Sequence, residues 1–149
     1  MKKYTLPGGI LLLCLLLLAG CKTVVPGDRF DAGNDIAKAQ KIVLHDASGN
    51  EKGSLTEEAE IDAFVEAVNV EGWHIADLPE HLTPAGSFTL WQTGTVTAFM
   101  DQDGAESVEI CTFRCYQNGD YLTIEAGPVD ISFTIPKASA DYLRGLLEP

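Results

Sequence analysis

Residues Ser107 to Pro136, SVEICTFRCYQNGDYLTIEAGPVDISFTIP, decide the fold class. Ser107 to Tyr116 is rich in β-branched and aromatic residues and reads as a strand. Asn118-Gly119 is the strongest short-range hairpin signal, because both central residues of such a turn need positive φ. Asp120 to Glu125 returns as a second strand, and Gly127-Pro128 turns the chain again. Val129, Ile131, Phe133 and Ile135 then alternate with Asp130, Ser132 and Thr134, so this third strand has one buried and one wet face. Pro136 stops it. Three strands joined by tight local turns are necessarily antiparallel.

Working outward from this meander, Ser139 or a neighbour is expected to cap a last helix with Leu143, Leu146 and Leu147 on its apolar side. Upstream, Ser87 to Gln92 alternates as a strand. Thr93-Gly94 is expected to turn the chain into a further strand at 95–100, and Asp101 to Gly104 forms an acidic turn. Trp73 to Pro84 contains Pro79 and Pro84, which breaks regular structure, and reads as a loop with a short strand at Trp73 to Ile75. The clearest helix lies before it. Ile61, Phe64, Val65 and Val68 fall at i, i+3, i+4 and i+7, Thr56 is the expected N-cap, and Glu57, Glu58 and Glu60 suit the positive end of the helix dipole. Gln40 to Asp46 is the first strand, followed by a turn at Ala47 to Asn50. The expected architecture is a two-layer α+β domain, an antiparallel sheet of about five strands with two helices on one face.

The amino terminus carries a different signal. Lys2 and Lys3 precede an almost unbroken apolar run from Ile10 to Leu18. At about nine strongly apolar residues it is too short to span a bilayer, which needs ~20, and suits a secretory signal peptide. Leu18-Ala19-Gly20-Cys21 follows and resembles the lipobox of bacterial lipoproteins. The resemblance implies diacylglycerol transfer to the Cys21 sulfur, cleavage before Cys21 and acylation, palmitate included, of the new terminus. The implied location is the cell membrane or outer membrane, lipid-anchored on the extracytoplasmic side. Lys22, rather than an acid, follows the cysteine; the same resemblance then permits outer-membrane transport. Lys41 to His45, Thr56 to Val68, Asp120 to Ile124 and Tyr142-Leu143 also resemble pieces of small bacterial surface lipoproteins, a likeness that implies no particular activity. The expected division is a signal peptide at 1–20, a flexible tether at 21–38 containing Pro26, Gly27 and Gly33, and one α+β domain at 39–149.

The whole chain carries 10 Lys and Arg against 22 Asp and Glu, a net charge of −12. Loss of Lys2 and Lys3 would take it to −14. Such a surface repels phosphate backbones, so nucleic acid is not an expected partner. Between Lys52 and Arg114 there is no Lys or Arg at all. The acids Glu58, Asp62 and Glu66 on the first helix are therefore a candidate surface for a cationic partner, beside the plainer reading of a solvated face.

Chemistry-bearing constellations are sparse. No Gly-x-Ser-x-Gly elbow and no phosphate-binding glycine motif is present. No cofactor is expected, and enzymatic activity is the less favoured reading. His74, Asp77 and His81 have metal-ligand spacing for a helix, but Pro79 interrupts it. Asp101-x-Asp103-Gly104 is similar to the opening of a calcium loop, yet the twelfth position is Thr112, not Glu. Trp73 and Trp91 are candidate ligand platforms, with core packing as the alternative. Trp91 falls in the alternation opposite Phe88 and with Thr89, on the wetter side.

Cys14 lies in the leader and Cys21 is the lipidation candidate, leaving Cys111 and Cys115. Four residues apart on one strand, their Cα atoms are ~13 Å apart, against the ~5.5–6 Å of a disulfide. Buried free thiols are favoured; a bulge-assisted disulfide and a reactive or metal-binding pair are the alternatives. The leading functional expectation is a lipid-anchored extracytoplasmic binding or protein-interaction module. The alternatives are a small envelope hydrolase or metal-dependent protein using the 74–81 loop, and an accessory subunit of an envelope complex.

Overall fold

The computed structural model describes residues 31–93 and 106–149. Cys21, the strand expected at 95–100 and the turn carrying Asp101 and Asp103 lie outside them. The order is α1 (Ala32–Ile36), β1 (Lys41–Asp46), β2 (Glu51–Leu55), α2 (Glu58–Val68), a 3₁₀ turn (Val70–Gly72), β3 (His74–Ile75), β4 (Pro84–Thr93), β5 (Ser107–Tyr116), β6 (Tyr121–Ala126), β7 (Val129–Thr134) and α3 (Lys137–Leu147). The strands form one sheet in the order β2-β1-β4-β5-β6-β7-β3, and every pairing is antiparallel.

The α+β class and the antiparallel sheet agree with the sequence. The expected count, about five strands and two helices, is roughly consistent but coarser: the sheet has seven strands among the described residues, and three helices accompany it. β2 is the strand that local pattern conceals. Its residues, Glu-Lys-Gly-Ser-Leu, neither alternate nor favour strands intrinsically. They extend because β1 pairs with them through a four-residue loop. There the Asp46 carboxylate accepts the Ser48 and Asn50 amides at 2.8 and 2.9 Å. Bonding from the Asn50 side chain holds the Asp46 carboxyl below the usual carboxylate range.

Register assigns each residue a face. Ile42, Leu44, Phe88, Leu90, Cys111, Phe113, Cys115, Leu122 and Ile124 share one face and pack with Ile61, Phe64 and Val68 of α2 and Leu143 and Leu147 of α3 in a single core. Both long helices therefore cover the same side. Phe64 is its centre, with ring centroids 5.4 Å from Phe88, 6.3 Å from Phe113 and 6.4 Å from Tyr142. No buried side-chain nitrogen or oxygen among the described residues lacks a hydrogen bond.

Three boundaries differ from expectation. Residues 31–38, part of the region expected to be tether, are folded: Asp31 caps α1 by accepting the Asn34 amide, and Ile36 is fully buried in the core. The folded unit thus reaches back into 31–38. Helix α2 starts at Glu58 with Glu57 as its N-cap, not Thr56, and no side chain bonds its terminus, where Glu58 and Glu60 face the dipole instead. Helix α3 begins directly after Pro136, so Ser139 is buried inside the helix rather than capping it. Pro136 sets the entry at φ −56° and has no amide of its own to satisfy.

Close packing of strand on strand appears at Gly86, where β4 bulges against β5. A Cβ there would lie 2.3 Å from the His45 carbonyl oxygen, and φ is +156°. Only glycine fits.

Candidate functional site

The sheet face turned away from the helices has no layer over it among the described elements. Alternation places Lys41, Val43 and His45 of β1 there, since Ile42 and Leu44 point to the core. Register then brings Trp91, Thr89 and Ser87 of β4 beside them: Lys41 pairs with Trp91, Val43 with Thr89, and His45 with Ser87. Thr112 and Arg114 of β5, Glu125 and Thr123 of β6 and Ser132 of β7 continue the face. It combines hydroxyls, aromatics and charge.

Its two halves differ. Toward β7 the polar groups satisfy one another. The hydroxyls of Thr89 and Thr112 lie 3.1 Å apart, and Thr112 donates to Glu109 at 3.3 Å. The Tyr116 hydroxyl bonds Thr123 at 2.8 Å, and Thr123 bonds Ser132 at 3.0 Å. Arg114 pairs with Glu125. Mutual shielding leaves Thr89, Thr123 and Tyr116 buried without a helix above them.

Toward β2 the face opens into a recess of about 370 Å³ lined by Lys41, Val43, His45, Glu51, Trp91 and Ser107. No side-chain hydrogen bond or ion pair among the described residues occupies Lys41, His45, Glu51, Ser107 or the Trp91 indole. By contrast, Trp73 packs against Phe113 and Phe133 at 5.7 and 5.4 Å, and its Nε1 donates to the Val68 carbonyl at 2.7 Å. Trp73 is thus a core residue at the sheet edge and Trp91 the tryptophan available to a ligand.

The recess holds a serine, a histidine and a carboxylate, but not as a relay. Ser107 is level with Thr93, whereas His45 is level with Ser87, six residues away along β4, or ~20 Å. A nucleophile needs its base at hydrogen-bond distance. The geometry suits binding along an elongated trough.

A second depression, of about 730 Å³, runs on the helix side between the α1–β1 connection and α2, with Glu58, Asp62, Ile61 and Val65 on one wall and Gln40 and Gln92 on another. Glu58, Asp62 and Glu66 are exposed and share one side of α2 at intervals of four.

The remaining sequence candidates fall apart spatially. His74 is in the edge strand β3, paired with Thr134, while Asp77 and His81 are exposed in the loop beyond it. Asn118 holds that loop by donating to the His81 carbonyl at 2.7 Å, so it is the backbone, not the imidazole, that is fastened. No three His, Cys, Asp or Glu side chains come together as a metal site among the described residues. Cys111 and Cys115 are free, buried and on either side of Phe113. Burial pushes the Cys111 thiol up to about 12 and the Cys115 thiol up to about 11, which removes the thiolate a nucleophile requires.

The sequence reading missed Lys41, His45 and Glu51 as site residues. Alternation in β1 puts Lys41 and His45 on one face, but only the β1–β4 pairing places Trp91 beside them. No helix among the described residues is long and apolar enough to cross a membrane. No protein-family model, curated protein or solved structure matches the chain.

Proposed function

We propose that this chain is a lipid-anchored extracytoplasmic binding module, held in the cell membrane or outer membrane through Cys21 and contacting its ligand with the recessed half of the open sheet face. The observation that carries the reading is the convergence of Lys41, His45, Glu51 and Trp91 on one recess with none of their side chains engaged by a partner among the described residues. Charged and aromatic groups left unpaired together at a concave surface are what a polar ligand needs. The lipobox-like Leu18-Ala19-Gly20-Cys21 supplies the location. Two or more acyl chains give stable anchoring where one gives only marginal binding. The acidic side of α2 is a second contact surface in this reading, suited to a cationic partner.

The test has two parts. Expression in a bacterial host with radiolabelled palmitate should label the chain, and Cys21→Ala should abolish labelling and release the protein from membranes; a labelled Cys21→Ala chain would end the anchoring claim. Thermal unfolding of the intact protein against a panel of saccharides, polyamines and divalent cations tests binding. A ligand at a hundredfold its Kd stabilises by about 2.7 kcal/mol, and a flat response across the panel would count against a small-ligand module.

A further inference from the structure

Resting on that reading of the recess, the geometry points to a more specific ligand: we infer that the trough on the open sheet face binds a short oligosaccharide bearing a carboxylate, with Trp91 under a sugar ring and Lys41 on the carboxylate.

The shape comes first. Lys41 and His45 stand on the same side of one strand, ~13 Å apart, and Glu51 is level with His45 on β2. The trough therefore has Lys41 and Trp91 at one end, with Glu109 across Trp91 on β5, and His45 and Glu51 at the other. A ligand filling it is elongated and polar along its length, as a chain of sugar rings is.

The chemistry follows from what each group lacks. Trp91 is half-buried, makes no ring contact with another aromatic and has no acceptor for its indole N–H among the described residues. A flat apolar surface flanked by hydrogen-bonding groups matches a pyranose, which has an apolar C–H face and a polar rim. Lys41 is the register partner of Trp91 and has no ion pair among the described residues. The other Lys and Arg side chains among the described residues are engaged: Lys38 with Asp35, Arg114 with Glu125, Lys137 with Asp141, Arg144 with Asp120 and Asp141, and Lys52 with the Leu147 carbonyl. In a chain of net charge −12, a lysine left open beside an aromatic platform is the group that selects a carboxylate. His45 and Glu51 at the far end accept and donate to hydroxyls.

The experiment uses the full chain in a detergent without a sugar headgroup, titrated with trigalacturonate and, separately, with the neutral trisaccharide maltotriose. Indole fluorescence is the readout, and Trp73, bonded inside the core edge, is a constant background. Trigalacturonate should give a saturable change with Kd on the order of 1 mM or tighter. Trp91→Ala should abolish the change with the thermal midpoint preserved, and Lys41→Ala should weaken affinity about tenfold, as expected for loss of one charge-assisted hydrogen bond. Binding should be confirmed for the Trp91 variant by calorimetry, which does not depend on the chromophore. Equal affinity for maltotriose overturns the carboxylate assignment. Absence of a saturable response to both sugars in the folded protein, or full calorimetric affinity in Trp91→Ala, overturns the site. Either failure leaves membrane anchoring to be judged separately by palmitate labelling, and a binding module to be judged by the wider ligand panel.

Discussion

Truncating Phe64 tests whether one side chain joins the two helices to the sheet. The residue is fully buried, and its ring touches β4 through Phe88, β5 through Phe113 and α3 through Tyr142. Phe64→Ala removes the ring and leaves a cavity whose walls come from three elements that cannot all move inward together. The expected cost is about 3–5 kcal/mol. Phe64→Leu keeps most of the volume but loses the aromatic pairs, about 1–2 kcal/mol. A domain of this size has a total stability of about 5–15 kcal/mol, so the alanine variant stands close to the edge of folding. Near the melting temperature each kcal/mol corresponds to about 3–6 °C, which gives a shift of roughly 10–30 °C for alanine. Urea denaturation should show a lower midpoint with an unchanged slope, because the surface exposed on unfolding is nearly the same. Val129→Ala, at a side chain 48% exposed on a hairpin, is the control and should stay within about 0.5 kcal/mol of wild type. If Phe64→Ala costs no more than that control, Phe64 is not the centre of the core and the two-layer packing argument fails.

Three further outcomes follow from the same structure. Cys111 and Cys115 should resist Ellman's reagent at pH 8 in the native state and react together on unfolding. Their folded pKa values, about 12 and about 11, exceed the ordinary 9.0, so their contribution to stability is complete below pH 9 and is lost as pH rises through the folded values; a double Cys→Ala variant with the same alkaline loss of stability would remove the thiols as its cause. Arg144 donates to the Tyr116 and Gly119 carbonyls at 3.3 and 2.9 Å and to Asp120 and Asp141 at 3.3 and 2.6 Å, tying α3 to the β5–β6 turn. Arg144→Ala should lower stability by about 1–3 kcal/mol, and Arg144→Lys should restore only part because an ammonium lacks the planar fork; full recovery by lysine in a denaturation series would refute the fork argument. Exchanging Glu58, Asp62 and Glu66 for Lys should abolish polyamine-induced thermal shifts if that side of α2 is the cationic contact, and unchanged shifts would exclude it.

The β5–β7 meander was legible because its information is local. Asn118-Gly119 falls in the loop 117–120 between β5 and β6, where the glycine alone takes positive φ, and Gly127-Pro128 turns β6 into β7; alternation between them assigns faces without reference to the rest of the chain. The stripe Ile61, Phe64 and Val68 is equally local, as is the face of Trp91. β2 was not legible, because Glu51 to Leu55 becomes a strand only by borrowing the hydrogen bonds of β1. Ile36 looked like part of a tether because a single isoleucine shows no period; its burial comes from a core assembled by distant residues. The helix starts shifted for a related reason: Thr56 and Ser139 are good caps locally, but sheet packing decides where each helix enters.

The recess belongs to this second kind. Lys41 and Trp91 are fifty positions apart and become neighbours only when β1 inserts between β2 and β4. Residue chemistry along the chain determined the class of fold and the acidic surface, since each depends on composition or on contacts a few residues apart. Strand order alone decided which polar groups meet and satisfy one another, as Thr89 and Thr112 do, and which meet at Lys41, His45, Glu51 and Trp91 without a side-chain partner among the described residues, because cross-strand proximity is a property of pairing and not of sequence distance.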